Sequence, residues 1–294
     1  MNKMETNMEK KETNEDFTSE ISLSFFRHGE KEQWDEEKGD IKLELTEGGR
    51  KQAMIKGAIS KSGEVVALGS KRKRALDTAG IIAAGKRSEI TGGETKEELD
   101  EKLKKNIKSG ELVVENRLDF EIDFDNEYGE HLLEAINGED FFKFVVEKSD
   151  ELAEKYNDKD SFTYSRGAAG IAELIKRYLS IASQWNELVV QDKDEEYPKD
   201  WEVILGTHQA VTESFLSKFI EKTKGLEDRN KFIEALDNQG FDFVEGFEVR
   251  IINKKDGELS AIVKYRKVEN GKRIFDLKEE VSPEILEEII NEKN

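Results

Sequence analysis

Residues 21–29 read Ile-Ser-Leu-Ser-Phe-Phe-Arg-His-Gly, and this stretch decides the fold. Its apolar residues first alternate with polar ones and then run continuously, a pattern that predicts a buried strand. The strand ends in Arg27, His28 and Gly29, where glycine lets the backbone turn directly after a cation and an imidazole. Ligands of open α/β sheets bind beyond the carboxyl ends of strands, so this exit is a candidate binding site. A charged strand end closed by a turn is the alternative.

A second predicted strand ends in a histidine in the same way. The apolar run Val203–Leu205 predicts a strand that ends in Gly206, Thr207 and His208. Apolar residues at helical spacing then predict a helix over Val211–Phe219. The chain contains three histidines, and two of them occupy matching strand exits.

A third strand-to-helix unit lies between these two exits. Val65–Leu68 predicts a strand, and Ser70 is a predicted N-cap for the helix that follows. Arg74 then falls in the first turn of that helix, at the end of a cationic run. For Lys71–Lys73, which begin the run, a solvated helix start is an equally good interpretation.

Four motifs follow one another between about residues 21 and 215: Arg27-His28-Gly29, Leu45-Thr46-Glu47-Gly48-Gly49-Arg50-Lys51-Gln52-Ala53, Ser70-x-x-x-Arg74-Ala75-x-x-Thr78-Ala79 and Gly206-Thr207-His208. In this order and spacing they resemble the histidine phosphatase superfamily (phosphoglycerate mutase-like). The resemblance implies an α/β fold, a three-layer α/β/α sandwich with a mostly parallel central sheet.

The resemblance also implies catalytic roles for four of these residues. His28 would attack phosphorus and become a phosphohistidine, while His208, expected to be protonated, would stabilise the transferring group. Arg27 and Arg74 would grip the phosphate, because a guanidinium presents a planar fork of donors to its oxygens. The resemblance implies neither a metal ion nor a cofactor.

The resemblance also implies an acid/base carboxylate. In the family it comes from a segment that corresponds here to Arg117–His131. Asp119, Glu121 and Glu130 are the candidates in this segment. We predict that Glu121 protonates the leaving oxygen and then activates water, with the other two carboxylates left open.

Two further residues are predicted to contact the substrate, Lys31 and Gln209. Phosphoglycerate mutases of the family resemble one another in a threonine and an asparagine where this chain has Lys31 and Trp34. The missing asparagine disfavours a mutase, and the added lysine suits an anionic substrate. We therefore predict a phosphatase that hydrolyses a phosphomonoester, either a small phosphorylated molecule or a phosphoprotein. A mutase-type phosphotransferase and a catalytically idle phosphate-binding module are the alternatives.

Composition narrows the remaining classes of function. The 294 residues carry a net charge of −19, which argues against nucleic-acid binding over the whole surface. The absence of cysteine excludes disulfides, thiolate zinc sites and a cysteine nucleophile. No apolar run reaches the roughly 18 residues of a membrane span, so we expect no membrane partner and a cytoplasmic protein. The oligomeric state is not indicated.

The domain organisation follows from the same patterns. We predict a disordered tail at residues 1–18 and a single domain at 19–294, with a helical insert at about 137–190. Alternating apolar residues in Phe247–Ile252 and Ser260–Arg266 predict a hairpin. Ser282 followed by proline predicts the start of a last helix, so that the hairpin and helix together occupy about 247–292.

Overall fold

The computed structural model describes residues 17–33, 39–59, 64–194 and 196–293. The strands in these ranges are β1 (Phe17–Arg27), β2 (Glu64–Gly69), β3 (Leu112–Val114), β4 (Asp200–Thr207), β5 (Gly246–Lys254), β6 (Leu259–Glu269) and β7 (Lys272–Glu280). The helices are α1 (Gly39–Lys42), α2 (Glu47–Ala58), α3 (Lys73–Lys86), α4 (Lys96–Ser109), α5 (Glu127–Ile136), α6 (Phe141–Lys155), α7 (Tyr164–Gln191), α8 (Val211–Lys224), α9 (Leu226–Ala235) and α10 (Pro283–Asn291). A 3₁₀ turn, Asn116–Leu118, follows β3.

The seven strands form one mixed sheet in the order β3-β2-β4-β1-β5-β6-β7. The first four strands of this order pair in parallel. From β1 onward the pairing is antiparallel. The predicted α/β class is therefore confirmed, but the sheet is mostly parallel only in its first half. In the second half, β5, β6 and β7 follow one another through short turns. A short turn can connect only antiparallel strands, so these strands pair in the antiparallel direction.

Helices cover both faces of the parallel half, which gives the predicted three layers. Side chains of β4 alternate between the two faces, so that Val203 and Leu205 lie in one core and Ile204 lies in the other. The first core includes apolar residues of α7 and α8, whereas the second includes residues of α3 and α4. This burial holds the carboxyl ends of β1 and β4 at one edge of a rigid sheet.

The ends of the chain agree only in part with the sequence predictions. Residues 1–16 of the predicted tail lie outside the described residues, while Phe17 and Thr18 already belong to β1. The predicted hairpin is β5–β6, and the last helix starts with Ser282 as its N-cap. The predicted insert contains α6 and α7, and its Ile171 packs in the same core as strand β1. The single-domain division stays a prediction. Within the described ranges no helix is both long and apolar enough to cross a membrane.

Candidate active site

His28 and His208 lie side by side because β1 and β4 are neighbouring parallel strands. The register pairs Arg27 with Thr207, and the backbone N–H of His28 donates to the carbonyl of Thr207 at 2.9 Å. The centroids of the two imidazole rings are 5.3 Å apart, in an edge-to-face arrangement. Both residues are buried, with 5% and 4% of their surface exposed. The two strand exits therefore meet in one site.

The ring of His28 is held in one tautomer. Its Nδ1 lies 2.7 Å from the carbonyl oxygen of Gly29, which can only accept, so we assign the ring proton to Nδ1. Its Nε2 accepts a hydrogen bond from Nε of Arg74 at 3.2 Å. Burial, reinforced by the positive charge of Arg74, holds the pKa of His28 well below its ordinary value. His28 is therefore a neutral imidazole whose lone pair is on Nε2.

Motif residues on two helices fix the turn after His28. The N–H of Gly29 donates to the hydroxyl of Thr78 at 3.0 Å, and that hydroxyl donates to the carbonyl of Arg74 at 2.7 Å. A Cβ on Gly29 would lie 2.7 Å from the carbonyl oxygen of Gly49. Only a residue without a side chain allows this approach of two backbones. Thr78 and Gly49 thus position both His28 and Arg74.

The guanidinium of Arg74 is shared between His28 and Asp40 of α1. Its NH1 donates to the backbone carbonyl of Asp40 at 2.8 Å, and its NH2 donates to Oδ2 of the same residue at 3.2 Å. Burial raises the pKa of Asp40, but the charge and hydrogen bond of Arg74 outweigh it, so this pKa lies below its ordinary value. An ionised carboxylate thus fills the guanidinium fork, which has the geometry to bind phosphate oxygens.

Arg27 is fixed by the loop that precedes β5. Its guanidinium stacks over the ring of Phe243, 4.5 Å from the ring centroid, and its NH1 donates to the carbonyl of Phe241. The same phenylalanine ring lies 6.1 Å from the ring of His28. The Nε of Arg27 is buried, and no described residue gives it a hydrogen-bond partner. Arg27 therefore keeps one donor available beside His28.

His208 contacts the turn that precedes the helix carrying Arg74. Its Nε2 lies 2.7 Å from the hydroxyl of Ser70, while its Nδ1 is buried without a hydrogen-bond partner among the described residues. Burial, followed by the positive charge of Arg74, holds the pKa of His208 well below its ordinary value. The lowered pKa favours a neutral ring over the expected protonated one, because the ring is removed from water and most of the charges around it are positive.

The contact with Ser70 also corrects the predicted start of α3. The N-cap residue of α3 is Arg72, with no side-chain cap hydrogen bond, rather than Ser70. The hydroxyl of Ser70 instead accepts from the backbone N–H of Arg72 at 3.2 Å and faces His208. Hydroxyl residues at such positions often bond to a backbone N–H two residues on, which offers an alternative to capping the helix.

The three candidate carboxylates lie in different surroundings. Oδ1 of Asp119 is 3.6 Å from Nε2 of His208, its side chain is 4% exposed, and burial raises its pKa. The side chain of Glu121 is 46% exposed and pairs with Lys71. Burial raises the pKa of Glu121, but its hydrogen bond to Lys71 and nearby positive charge more than offset this, so the pKa is lowered. Glu130 is an exposed residue of α5. The burial of Asp119 beside His208 and the upward direction of its pKa shift favour it over the predicted Glu121 as the acid.

The remaining predictions concern Lys31, Gln209 and a metal ion. Although Lys31 as a residue is exposed, protein atoms around its ammonium group and the charge of Arg74 lower its pKa. The side-chain amide of Gln209 donates to the carbonyl of Gln239. Their roles in substrate binding stay predictions. Within the described residues, no group of three or more histidine and carboxylate side chains is arranged to hold a metal ion.

One cation of the site was not singled out by the sequence. Arg72 is 7% exposed, and its guanidinium reaches Asp40 and Asp119. Its neighbours in the cationic run are more exposed, at 39% for the side chain of Lys71 and 34% for that of Lys73. The run itself was visible in the sequence, but a run of like charges carries no signal for which member is buried.

A comparison with family models agrees with this geometry. Residues 23–168 match the model of the histidine phosphatase superfamily (branch 1), a range that includes His28, Arg74 and Asp119. These residues belong to the histidine phosphatase superfamily. Membership supports an enzyme with phosphatase activity in general, without fixing its substrate or mechanism. No curated protein sequence is significantly similar to the chain.

Several solved structures are similar to this chain. A mycobacterial glucosyl-3-phosphoglycerate phosphatase is 16% identical, with a TM-score of 0.40, and the match covers 79% of this chain and 91% of that one. A mycobacterial hydrolase is 15% identical, with a TM-score of 0.41, and covers 94% and 99%. A phosphoserine phosphatase from Entamoeba histolytica, in complex with 3-phosphoglyceric acid, is 20% identical, with a TM-score of 0.36 and coverage of 82% and 94%. At these identities and TM-scores the likeness carries no argument about substrate or mechanism.

Because both histidines of the site are buried and neutral, we predict that acid destabilises the fold. An unfolded chain binds a proton at each histidine near pH 6.5, whereas the folded protein does not, since both histidine pKa values are lowered. Unfolding therefore takes up protons as the pH falls below about 6.5, and the free energy of unfolding decreases by up to about 1.4 kcal/mol per pH unit for each histidine. Urea denaturation at a series of pH values measures this slope. His208→Asn should make this pH slope shallower, whereas His131→Asn, which lies outside the site, should leave it unchanged. Equal slopes in the wild type and both variants would show that His208 does not cause the pH dependence.

Proposed function

We propose that the chain is a metal-independent phosphomonoesterase that works through a phosphohistidine on Nε2 of His28. The observation that carries this proposal is the tautomer of His28, whose unprotonated Nε2 faces the guanidinium of Arg74. A neutral imidazole nitrogen is nucleophilic without a base to activate it. Its lowered pKa keeps it neutral across the physiological range of pH.

In the first step, the lone pair of Nε2 of His28 attacks phosphorus and the bond to the ester oxygen breaks. Arg27 and Arg74 bind the equatorial oxygens, where negative charge is spread in the transition state. Neutral His208 contributes one N–H donor to the same group. Asp119, which is buried and has a raised pKa, gives its proton to the leaving oxygen. The products are a free alcohol, a phosphohistidine and an ionised Asp119.

In the second step, Asp119 takes a proton from a water molecule as that water attacks phosphorus. The bond between phosphorus and Nε2 of His28 breaks, and its electron pair returns to the ring. Inorganic phosphate leaves, and both residues are restored to their starting protonation. The guanidinium groups supply the positive charge that a metal ion supplies in other phosphoryl-transfer enzymes, which supports a metal-independent reaction.

For phosphate to bind as proposed, it must take the place of the Asp40 carboxylate in the fork of Arg74. That carboxylate accepts a hydrogen bond from NH2 of Arg74 at 3.2 Å, and its Oδ1 lies 3.0 Å from NH1. A phosphate dianion offers more charge and more acceptor oxygens than a carboxylate. The substrate is a small phosphorylated molecule or a phosphoprotein whose phosphate can enter this position.

The experiment that tests the function is a screen of phosphorylated metabolites and phosphopeptides with the wild type and His28→Ala. Released inorganic phosphate should account for all substrate consumed by the wild type, in the presence of a chelator. Substrate that is isomerised with its phosphate retained would make the protein a mutase. No difference between wild type and His28→Ala on every substrate would remove the proposed activity.

The choice between the two carboxylates gives a sharper test. Asp119→Asn should lower kcat on alkyl phosphates by about 10²- to 10⁴-fold, the usual contribution of a general acid. Because para-nitrophenolate leaves without a proton, the same variant should still release a burst of it from para-nitrophenyl phosphate before phosphoenzyme hydrolysis becomes limiting. Glu121→Gln is the matched control and should change kcat little. A burst in Glu121→Gln, with normal turnover in Asp119→Asn, would assign the acid to Glu121.

A further inference from the structure

Arg72 is a buried cation at the start of α3, between two lysines that face water. Its backbone is extended, with φ −76° and ψ 124°, because it is the N-cap residue and not yet part of the helix. Its side chain contacts Asp119 and Phe120 in the segment after the 3₁₀ turn, and only 8% of it remains exposed. A cation buried to this extent needs partners, since removing a charge from water is costly.

The guanidinium of Arg72 contacts two separate parts of the chain, helix α1 and the consecutive residues Asp119 and Phe120. Its NH1 donates to Oδ2 of Asp40 at 2.6 Å, and its NH2 donates to the backbone carbonyl of Phe120. Its Nε lies 2.9 Å from Oδ1 of Asp119. That last contact lacks the angle of a hydrogen bond, so the Nε of Arg72 has no hydrogen-bond acceptor among the described residues. One side chain thus holds α1, the Phe120 backbone and the Asp119 carboxylate together.

Arg72 also reaches His208 by two routes. Through its side chain it contacts Asp119, whose Oδ1 is 3.6 Å from Nε2 of His208. Through its backbone N–H it donates at 3.2 Å to the hydroxyl of Ser70, which lies 2.7 Å from the same nitrogen. Moving Arg72 would therefore disturb both polar neighbours of that imidazole nitrogen.

The charged and titratable groups that face Asp119 come from three elements. They are Lys71, Arg72 and Arg74 at the start of α3, His208 at the end of β4 and Glu121 on its own segment. Burial raises the pKa of Asp119, and Arg72 is the largest of the opposing influences. Lys71 acts in the same direction more weakly, from 3.4 Å and with its side chain partly in water.

We propose that Arg72 is a positioning residue of the phosphatase reaction, which holds the carboxyl group of Asp119 beside His208 and in reach of the leaving oxygen. The proposal rests on the proposed function and on Asp119 as its acid and base. An acid that must also act as a base in the second step has to lose and regain its proton with similar ease. Arg72 provides this balance, because without an adjacent cation the buried carboxyl would retain its proton too firmly.

The test compares Arg72→Gln with Arg72→Lys and with Lys73→Gln. Glutamine keeps a donor for the carbonyl of Phe120 but removes the charge, whereas lysine keeps the charge but not the fork. Lys73 is the matched control, since it carries the same charge one residue away and pairs with Asp77 at 2.6 Å. The pH dependence of kcat and KM is measured for each variant, and the Asp119 carboxyl is titrated by carbon-13 NMR.

For Arg72→Gln we expect kcat to fall at least about tenfold with little change in KM. The alkaline limb of the kcat profile, where the acid loses its proton, should move to higher pH by about one unit, as expected when an adjacent opposite charge is removed. The NMR titration of Asp119 should move in the same direction. Arg72→Lys should titrate more like the wild type but keep a reduced kcat, and Lys73→Gln should match the wild type in both readouts.

Two results would overturn the proposal. A lower kcat in Arg72→Gln with an unmoved Asp119 titration would reduce Arg72 to a structural role. If Arg72→Gln does not fold, wild-type kcat in Arg72→Lys would show that the guanidinium fork is dispensable. The NMR titration needs no turnover, so a wild type without phosphatase activity would end the proposed function while still testing how Arg72 acts on Asp119.

Discussion

Replacing His28 by alanine is expected to abolish phosphatase turnover, with a loss of about 10³-fold or more, as for other covalent nucleophiles. The variant has no nitrogen at the place where the phosphoryl group would be attached. Steady-state release of inorganic phosphate and of para-nitrophenolate measures the loss. The melting temperature should remain close to that of the wild type or exceed it, since removing a desolvated imidazole costs few contacts of the strand itself.

Two further variants show whether a loss of activity is specific to His28. His131→Ala removes the third histidine, which lies on α5 and contacts Tyr156 outside the site, and should retain full activity. His28→Asn keeps a polar side chain of similar size and should be as inactive as His28→Ala. Near-normal turnover in either His28 variant, with the fold intact, would rule out the phosphohistidine route.

Replacing Arg74 by alanine is expected to lower kcat by about 10²- to 10³-fold, equivalent to about 2.7–4 kcal/mol of transition-state stabilisation. Arg74 provides donors to the phosphoryl oxygens and fixes Nε2 of His28. Its loss should also let the pKa of His28 rise, because its charge is the second cause of the present low value after burial. The acidic limb of the pH profile of kcat/KM should then move to higher pH.

Arg74→Lys separates charge from geometry in this second prediction. Lysine restores the positive charge and should return the acidic limb toward the wild-type position, but it cannot donate bidentately and kcat should stay low. Lys73→Ala, on the neighbouring residue, should leave kcat unchanged. An Arg74→Ala variant with wild-type kcat and pH dependence would separate Arg74 from the reaction.

The position of the site could be predicted from the sequence because it depends on backbone periodicity. Apolar runs that end in His28 and His208 place both residues at strand exits, and the parallel register of β1 and β4 then makes them neighbours. Arg74 followed from the motif that also contains Thr78. These features are local in the sequence, so the strand ends and the motif can be recognised from one sequence alone.

The electrostatics of the site could not be predicted in the same way. The charge of His208 depends on burial and on cations from other elements, and neither is encoded next to residue 208. The choice between Asp119 and Glu121 likewise depends on which carboxylate the fold buries. The two residues are two positions apart on the same irregular segment. The tertiary structure buries one carboxylate and leaves the other partly exposed.

The antiparallel half of the sheet was only partly predicted, although a signal for the rest was present. Strand β7 follows β6 through Asn270 and Gly271, whose φ angles are 49° and 74°. An Asn-Gly pair with two positive φ angles is the strongest short-range indication of a hairpin. The charged residues that surround it in β6 and β7 obscured the alternation, because one face of this part of the sheet carries ion pairs such as Arg266–Asp276.

The most direct test of the account is to locate the phosphoryl group on the enzyme during turnover. Wild-type protein is mixed rapidly with a phosphomonoester, quenched in base and analysed by peptide mass spectrometry and phosphorus-31 NMR. We expect a phosphohistidine on Nε2 of His28, formed and consumed at rates compatible with kcat and stabilised in Asp119→Asn. Turnover with no phosphoenzyme, or with the phosphoryl group on any residue other than His28, would contradict it.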